Sequence, residues 1–125
     1  MTARRSIEVE GFSHGGQPIP AASRVGNIVM TGGVYGLDPE TGKIPDDVEK
    51  QAELMFFNLK RIMAAAGASM DRVVKMTVYV KVPEGRPAVN RQWLAAFPDA
   101  EAIYERNIDT MQRLGHAGWR KLWTD

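Results

Sequence analysis

Apolar and polar residues alternate in two stretches of the chain and recur at helical spacing in two others. Ile7 and Val9 alternate with Glu8 and Glu10, the period-two pattern of a short strand with one solvated face. Gly11, Gly15, Gly16, Pro18 and Pro20 then break regular structure, so Phe12 to Pro20 reads as a loop. From Ala22 to Thr31, Gly26-Asn27 divides two β-prone runs and predicts a hairpin turn. Gly32-Gly33 follows at once, backbone that another chain or a ligand can approach closely. Asp38-Pro-Glu-Thr-Gly is a surface turn. Pro45-Asp46-Asp47 opens a helix, since proline suits the first turn and acids there face the positive end of the helix dipole. Along it Ala52, Met55, Phe56, Leu59, Ile62, Met63 and Ala66 form an apolar stripe, and Gly67 ends it. Val74, Met76, Val78, Val80 and Val82 next alternate with Lys75, Thr77, Tyr79 and Lys81, which predicts a strand. Val89, Trp93 and Phe97, joined by Leu94, make Arg86 to Phe97 a second amphipathic helix, stopped by Pro98.

This order of elements implies two helices on one face of a small mixed sheet, with the other sheet face uncovered. Covering a face that bears Tyr, Thr and Val would stabilise by roughly 25 cal/mol for each Å² of apolar surface removed from water. A homo-oligomer meets that need.

Composition narrows the classes. The 125 residues suffice for one domain, 1–125, and 44% hydrophobic with 25% charged residues describes a globular chain. Sixteen Lys+Arg against fifteen Asp+Glu leave a formal charge of +1, too little to gather phosphates, so nucleic acid is disfavoured as a partner. The lack of cysteine removes disulfides, thiolate catalysis and Cys-based zinc sites, and suits the cytoplasm. Ser6-Ile-Glu-Val-Glu interrupts any signal peptide, and no apolar run reaches the ~18–20 residues of a membrane span.

Candidate chemistry is sparse. His14 stands in a glycine-rich loop, where it is either a site group titrating near neutrality or an ordinary surface histidine. His116 is too remote in sequence to pair with it as a metal site, and no metal or cofactor is expected. Gly32-Gly33 with Gly36 opens onto Asp38-Pro39 instead of a helix, so it is a packing feature and not a phosphate loop. Thr31, at a strand end beside those glycines, can offer a hydroxyl to a substrate oxygen. Trp119 and Trp123 with Arg120 and Lys121 read as packing residues before they read as a nucleic-acid or membrane tail.

Taken in order, Arg24-Val-Gly-Asn-Ile-Val-Met-Thr-Gly-Gly, Asp38-Pro-Glu-Thr-Gly-Lys-Ile-Pro, the helix from Gln51 to Asn58-Leu59, Ala64-Ala-Ala-Gly-Ala-Ser, Val73-Val-Lys-Met-Thr-Val-Tyr-Val and Val89-Asn90 before Phe97-Pro98 resemble the RidA (YjgF/YER057c/UK114) family of enamine/imine deaminases. The resemblance covers about residues 6–101. It implies a chorismate-mutase-like α+β protomer, a barrel-like homotrimer with helices outside, and sites in the clefts between subunits that take a small imine or 2-oxoacid. It implies hydrolysis of 2-iminopropanoate-type acids to 2-oxoacid and ammonia without metal or organic cofactor. Within it, Thr31 matches the family's Ser/Thr before the glycine, Asn90 its Asn at the start of the second helix, and Arg106 its carboxylate-binding Arg. Gly32 and Gly33 would shape the pocket, with His14 beside them. A guanidinium presents paired donors that fit a carboxylate.

Departures from the family pattern are concentrated at three places. Ile19 and Pro20 stand where many members carry a Tyr, and Arg106 lacks the neighbouring Pro and Thr. The Glu-bearing last strand is missing, since no Glu follows Glu105. The tail 102–125 therefore has three readings. It is a divergent segment with helical apolar faces (Ile108, Met111 and Leu114, or Trp119, Leu122 and Trp123). It belongs to a relative that binds ligands but has lost hydrolysis. Or it is translated from an altered reading frame, which intact mass and resequencing of the gene test. The alternatives in function are a non-catalytic small-ligand binding protein and, behind it, a ribonuclease or translation inhibitor.

Overall fold

The computed structural model describes residues 3–98. Strand β1 (Arg5–Ile7), strand β2 (Ala22–Val25) and strand β3 (Ile28–Thr31) form an antiparallel sheet in the order β1-β2-β3. Ile7 lies opposite Ala22, and Ala22 opposite Thr31. The β2–β3 turn is the expected Gly26-Asn27, with Gly26 at φ 55°, a conformation open to glycine at no steric penalty. The β1 strand is shorter than its alternation suggests, because Val9 leaves it to bridge Phe12.

Helix α1 (Val48–Ala65) begins where Asp47 accepts a bond from the Lys50 backbone N–H at 3.1 Å, satisfying one of the donors that a helix start leaves unpaired. It ends as Gly67 turns to φ 74° and the Ala68 N–H returns to the Met63 carbonyl at 2.8 Å. Its apolar stripe supplies Ile62 and Ala66 to a core with Ile7, Phe12, Ala21 and Ala22. Val29, Val34, Tyr35 and Leu37 pack around this cluster. Arg24 ties sheet to helix by donating from Nη1 to the Ala66 carbonyl at 2.7 Å. A single 3₁₀ turn, Met70–Arg72, follows.

Helix α2 (Gly85–Ala96) packs along α1, and Arg91 pairs with Glu49 across the two. Phe97 is buried and its ring stands 5.1 Å from that of Trp93.

Two expectations are corrected. The described sheet is purely antiparallel, not mixed, and the alternating run Val74 to Val82 enters no ladder among the described residues. Val74 and Tyr79 are each 92% exposed, while Met76 and Val78 are half-buried. The physical reason is that alternation specifies which face of a strand is apolar but not which strand lies beside it. The trimer and the barrel arrangement implied by the resemblance concern more than one chain.

Candidate functional site

The candidate residues gather where β3 runs out. Thr31 ends the strand opposite Ala22 and is exposed. The next N–H, of Gly32, donates to the Ala21 carbonyl at 2.9 Å, so the chain continues alongside β2 for one more residue. A Cβ on Gly32 would stand 3.1 Å from the Pro20 carbonyl oxygen and 3.2 Å from His14 Cε1, so the absence of a side chain allows this approach. Gly33 is exposed.

Loop Phe12 to Pro20 folds over this end of the hairpin. His14 Nε2 lies 2.7 Å from the Gly33 carbonyl oxygen and Nδ1 lies 3.2 Å from the Ile19 carbonyl oxygen. Phe12 meets the His14 ring edge-on at 5.5 Å, and Tyr35 packs on Phe12 at 5.1 Å. The Tyr35 hydroxyl donates to the Ser13 carbonyl. Aromatic packing and main-chain hydrogen bonds thus hold the loop, with no ion pair involved among the described residues.

The segment after Gly33 is fixed from below. Asn58, fully buried on α1, donates from Nδ2 to the carbonyls of Tyr35 at 3.0 Å and Leu37 at 2.8 Å. A Cβ on Gly36 would come within 2.5 Å of the Gln51 carbonyl oxygen, so this segment touches the helix backbone directly. Sequence reading missed Asn58, Tyr35 and Arg24 as positioning groups. A signal for Asn58 was present: it is a polar residue between the apolar positions Phe56, Leu59 and Ile62.

The structure therefore brings together Thr31, Gly32, Gly33 and His14. Asn90 lies exposed on α2 and is joined to that group by no hydrogen bond among the described residues. Arg106, His116, Trp119 and Trp123 lie outside the described residues. Surface cavities lie beside the same loop and on the helices. One of about 740 Å³ is bordered by Ser13, Tyr35 and Lys43, and one of about 630 Å³ lies between α1 and α2 near Phe57 and Ala95. Thr31 and Gly33 are exposed and line neither of these cavities, while His14 and Gly32 are half-buried. Within the described residues, no cluster of His, Asp and Glu has the make-up of a metal site. No described helix is long and apolar enough to cross a membrane.

The sequence model of the Endoribonuclease L-PSP family matches residues 17–113, a range that takes in both the hairpin and Arg106. The chain belongs to this family. Among members with assigned names, it is 36% identical over 80 residues to the 2-iminobutanoate/2-iminopropanoate deaminase of Escherichia coli (strain K12), covering 64% of this chain and 62% of that protein. It is equally 36% identical over 80 residues to the reactive intermediate deaminase TdcF of the same organism, with the same coverage. The chain thus spans 62% of the length of these relatives. Among solved structures, the YjgF gene product from E. coli superposes with a TM-score of 0.68 at 33% identity, over 76% of this chain and 75% of that one. E. coli TdcF with bound serine gives a TM-score of 0.64 at 30% identity, over 86% and 76%. This chain, α+β with two helices and an antiparallel sheet among its described residues, therefore has the fold of the Endoribonuclease L-PSP family.

Proposed function

We propose that this family member hydrolyses small reactive imine or enamine acids of the 2-iminopropanoate type. Water adds to the imine carbon, the C–N bond breaks, and a 2-oxoacid and ammonia leave. Arg106 holds the substrate carboxylate through its planar donors. The Thr31 hydroxyl faces the reacting centre, the main chain of Gly32-Gly33 with His14 beside it forms one wall, and Asn90 supports another. No metal or organic cofactor takes part, since a protonated imine carbon needs only an oriented water and a proton acceptor.

The observation that carries this reading is the Thr31-Gly32-Gly33 end of the hairpin, with Thr31 and Gly33 exposed and its main chain held by contacts from two sides, in a chain similar to two deaminases of E. coli. A neighbouring copy seated on the uncovered face of the hairpin would bring its own residues beside the strand end at Thr31-Gly32-Gly33, and the β-hairpin supports such an assembly. Val29 packs on the core, so Ile28 and Met30 face the other way, 68% and 72% exposed. Apolar side chains grouped on an uncovered sheet face mark an association surface. The functional unit is a homotrimer of the cytoplasm with its sites at the subunit seams. The near-neutral charge argues against RNA as substrate.

The test is direct. Purified protein accelerates 2-oxoacid formation from 2-iminopropanoate generated in solution, and Arg106→Ala lowers kcat/KM at least tenfold. No acceleration over buffer, with Arg106→Ala matching its parent, overturns the catalytic reading. The absence of any Glu after Glu105 favours one second reading, a trimer that binds a 2-oxoacid without turnover. Calorimetric binding of a 2-oxoacid by protein inert toward the imine selects it.

A further inference from the structure

Two adjacent glycines have no side chains to hold their peptide planes, and glycine pays the largest conformational entropy of any residue when fixed. Gly32 is anchored through its N–H to Ala21. Gly33 is anchored from a side chain nineteen positions earlier, by the 2.7 Å contact between its carbonyl oxygen and His14 Nε2. The other ring nitrogen, Nδ1, faces the Ile19 carbonyl oxygen at 3.2 Å. Phe12 edge-on at 5.5 Å and Tyr35 at 6.1 Å border the same ring. Both nitrogens are thus directed at main-chain carbonyls, which differs from the arrangement needed for a histidine that binds substrate or shuttles its proton. A neutral imidazole carries one N–H, and the shorter contact is the one it serves better; the imidazolium form would donate to both.

We propose that His14 is a positioning residue: its Nε2–H donates to the Gly33 carbonyl and so sets the Gly33–Val34 peptide plane that borders the bound substrate. The proposal rests on the hydrolase reading for its kinetic consequence but not for the hydrogen bond itself. Loss of one such bond loosens a wall that holds substrate and transition state alike, which raises KM more than it lowers kcat. The scale is on the order of tenfold, the worth of one hydrogen bond.

Two measurements test it. In ¹⁵N-labelled protein, the His14 ring, separated from His116 by comparison with His14→Gln, shows an exchange-protected proton on Nε2. A ring protonated on Nδ1 alone, or one whose protons exchange freely, overturns the proposal whether or not the protein turns over imine. In 2-iminopropanoate hydrolysis, His14→Ala raises KM about tenfold with kcat within about twofold, and His14→Gln, whose amide N–H can reach the same carbonyl, restores most of the loss. Unchanged KM in His14→Ala with only a lowered melting temperature assigns the residue to stability alone and overturns the positioning role. Equal KM in the Ala and Gln variants, both raised, also overturns it. If the parent shows no turnover, the hydrolase reading falls, and the ring spectrum still decides the hydrogen bond.

Discussion

Asn58 is the fully buried polar side chain among the described residues, and it shows how one amide can organise a surface it never reaches. Its Nδ2 serves two carbonyls, those of Tyr35 and Leu37, in a segment that has no strand partner among the described residues. Its Oδ1 has no hydrogen-bond partner among the described residues, a penalty that the two donated bonds must outweigh. Replacing it by the similarly sized Leu leaves both carbonyls facing an apolar side chain. The Tyr35 carbonyl keeps the Leu37 N–H at 2.9 Å, whereas the Leu37 carbonyl loses its donor, so Asn58→Leu should lower stability by about 1–3 kcal/mol, the cost of one unsatisfied buried acceptor. Urea unfolding followed by circular dichroism measures this, and a loss under 1 kcal/mol would show that the segment finds other partners.

At the scale of elements, α1 is the keystone, since it contacts the sheet through Ile62 and Ala66 and α2 along another side. Ile62 has no exposed surface, and Ile62→Ala should cost about 2–5 kcal/mol, the range for truncating a large aliphatic side chain in a packed core. Chemical denaturation of the variant checks it, with an unchanged m-value marking a loss of stability without a change of folded state. This helix was legible in the sequence because its Pro45-Asp46-Asp47 opening, its apolar stripe and its Gly67 stop agree with one another. The β2–β3 hairpin was legible for a similar reason, as Gly26-Asn27 sits between two short apolar runs. What stayed hidden depends on long-range pairing. The alternation of Val74 to Val82 names an apolar face without naming a neighbour, so a strand was expected where the described residues show no ladder. The grip of His14 on Gly33 and of Arg24 on Ala66 likewise joins residues 19 and 42 positions apart, and no local pattern encodes such contacts.

For the whole molecule, the deciding quantity is the apolar surface that one chain leaves uncovered. Ile28 and Met30 stand on the sheet face opposite Val29, and Val74 and Tyr79 add nearly full exposure on a segment without a ladder partner among the described residues. Exposed large apolar side chains on the hairpin face favour association over a lone chain in water. A charge on the hairpin face should separate the two requirements of the proposed function, fold and assembly. Met30→Asp changes a side chain that is 72% exposed in the single chain, so burial within the protomer is not disturbed and far-UV circular dichroism should match the parent. In a trimer the same carboxylate would leave water across the ladder from Ser23, to which the Arg4 guanidinium donates at 3.0 Å, and even beside that cation its desolvation costs several kcal/mol at each seam. Sedimentation should then find three 13.9 kDa chains together in the parent and single chains in the variant at micromolar concentration. Imine hydrolysis should disappear with the assembly, although Thr31, Gly33, His14 and Arg106 are untouched. A Met30→Asp protein that sediments as a single chain and still hydrolyses the imine at the parental rate would place the whole site within one protomer, and a parent that is itself monomeric while active would do the same.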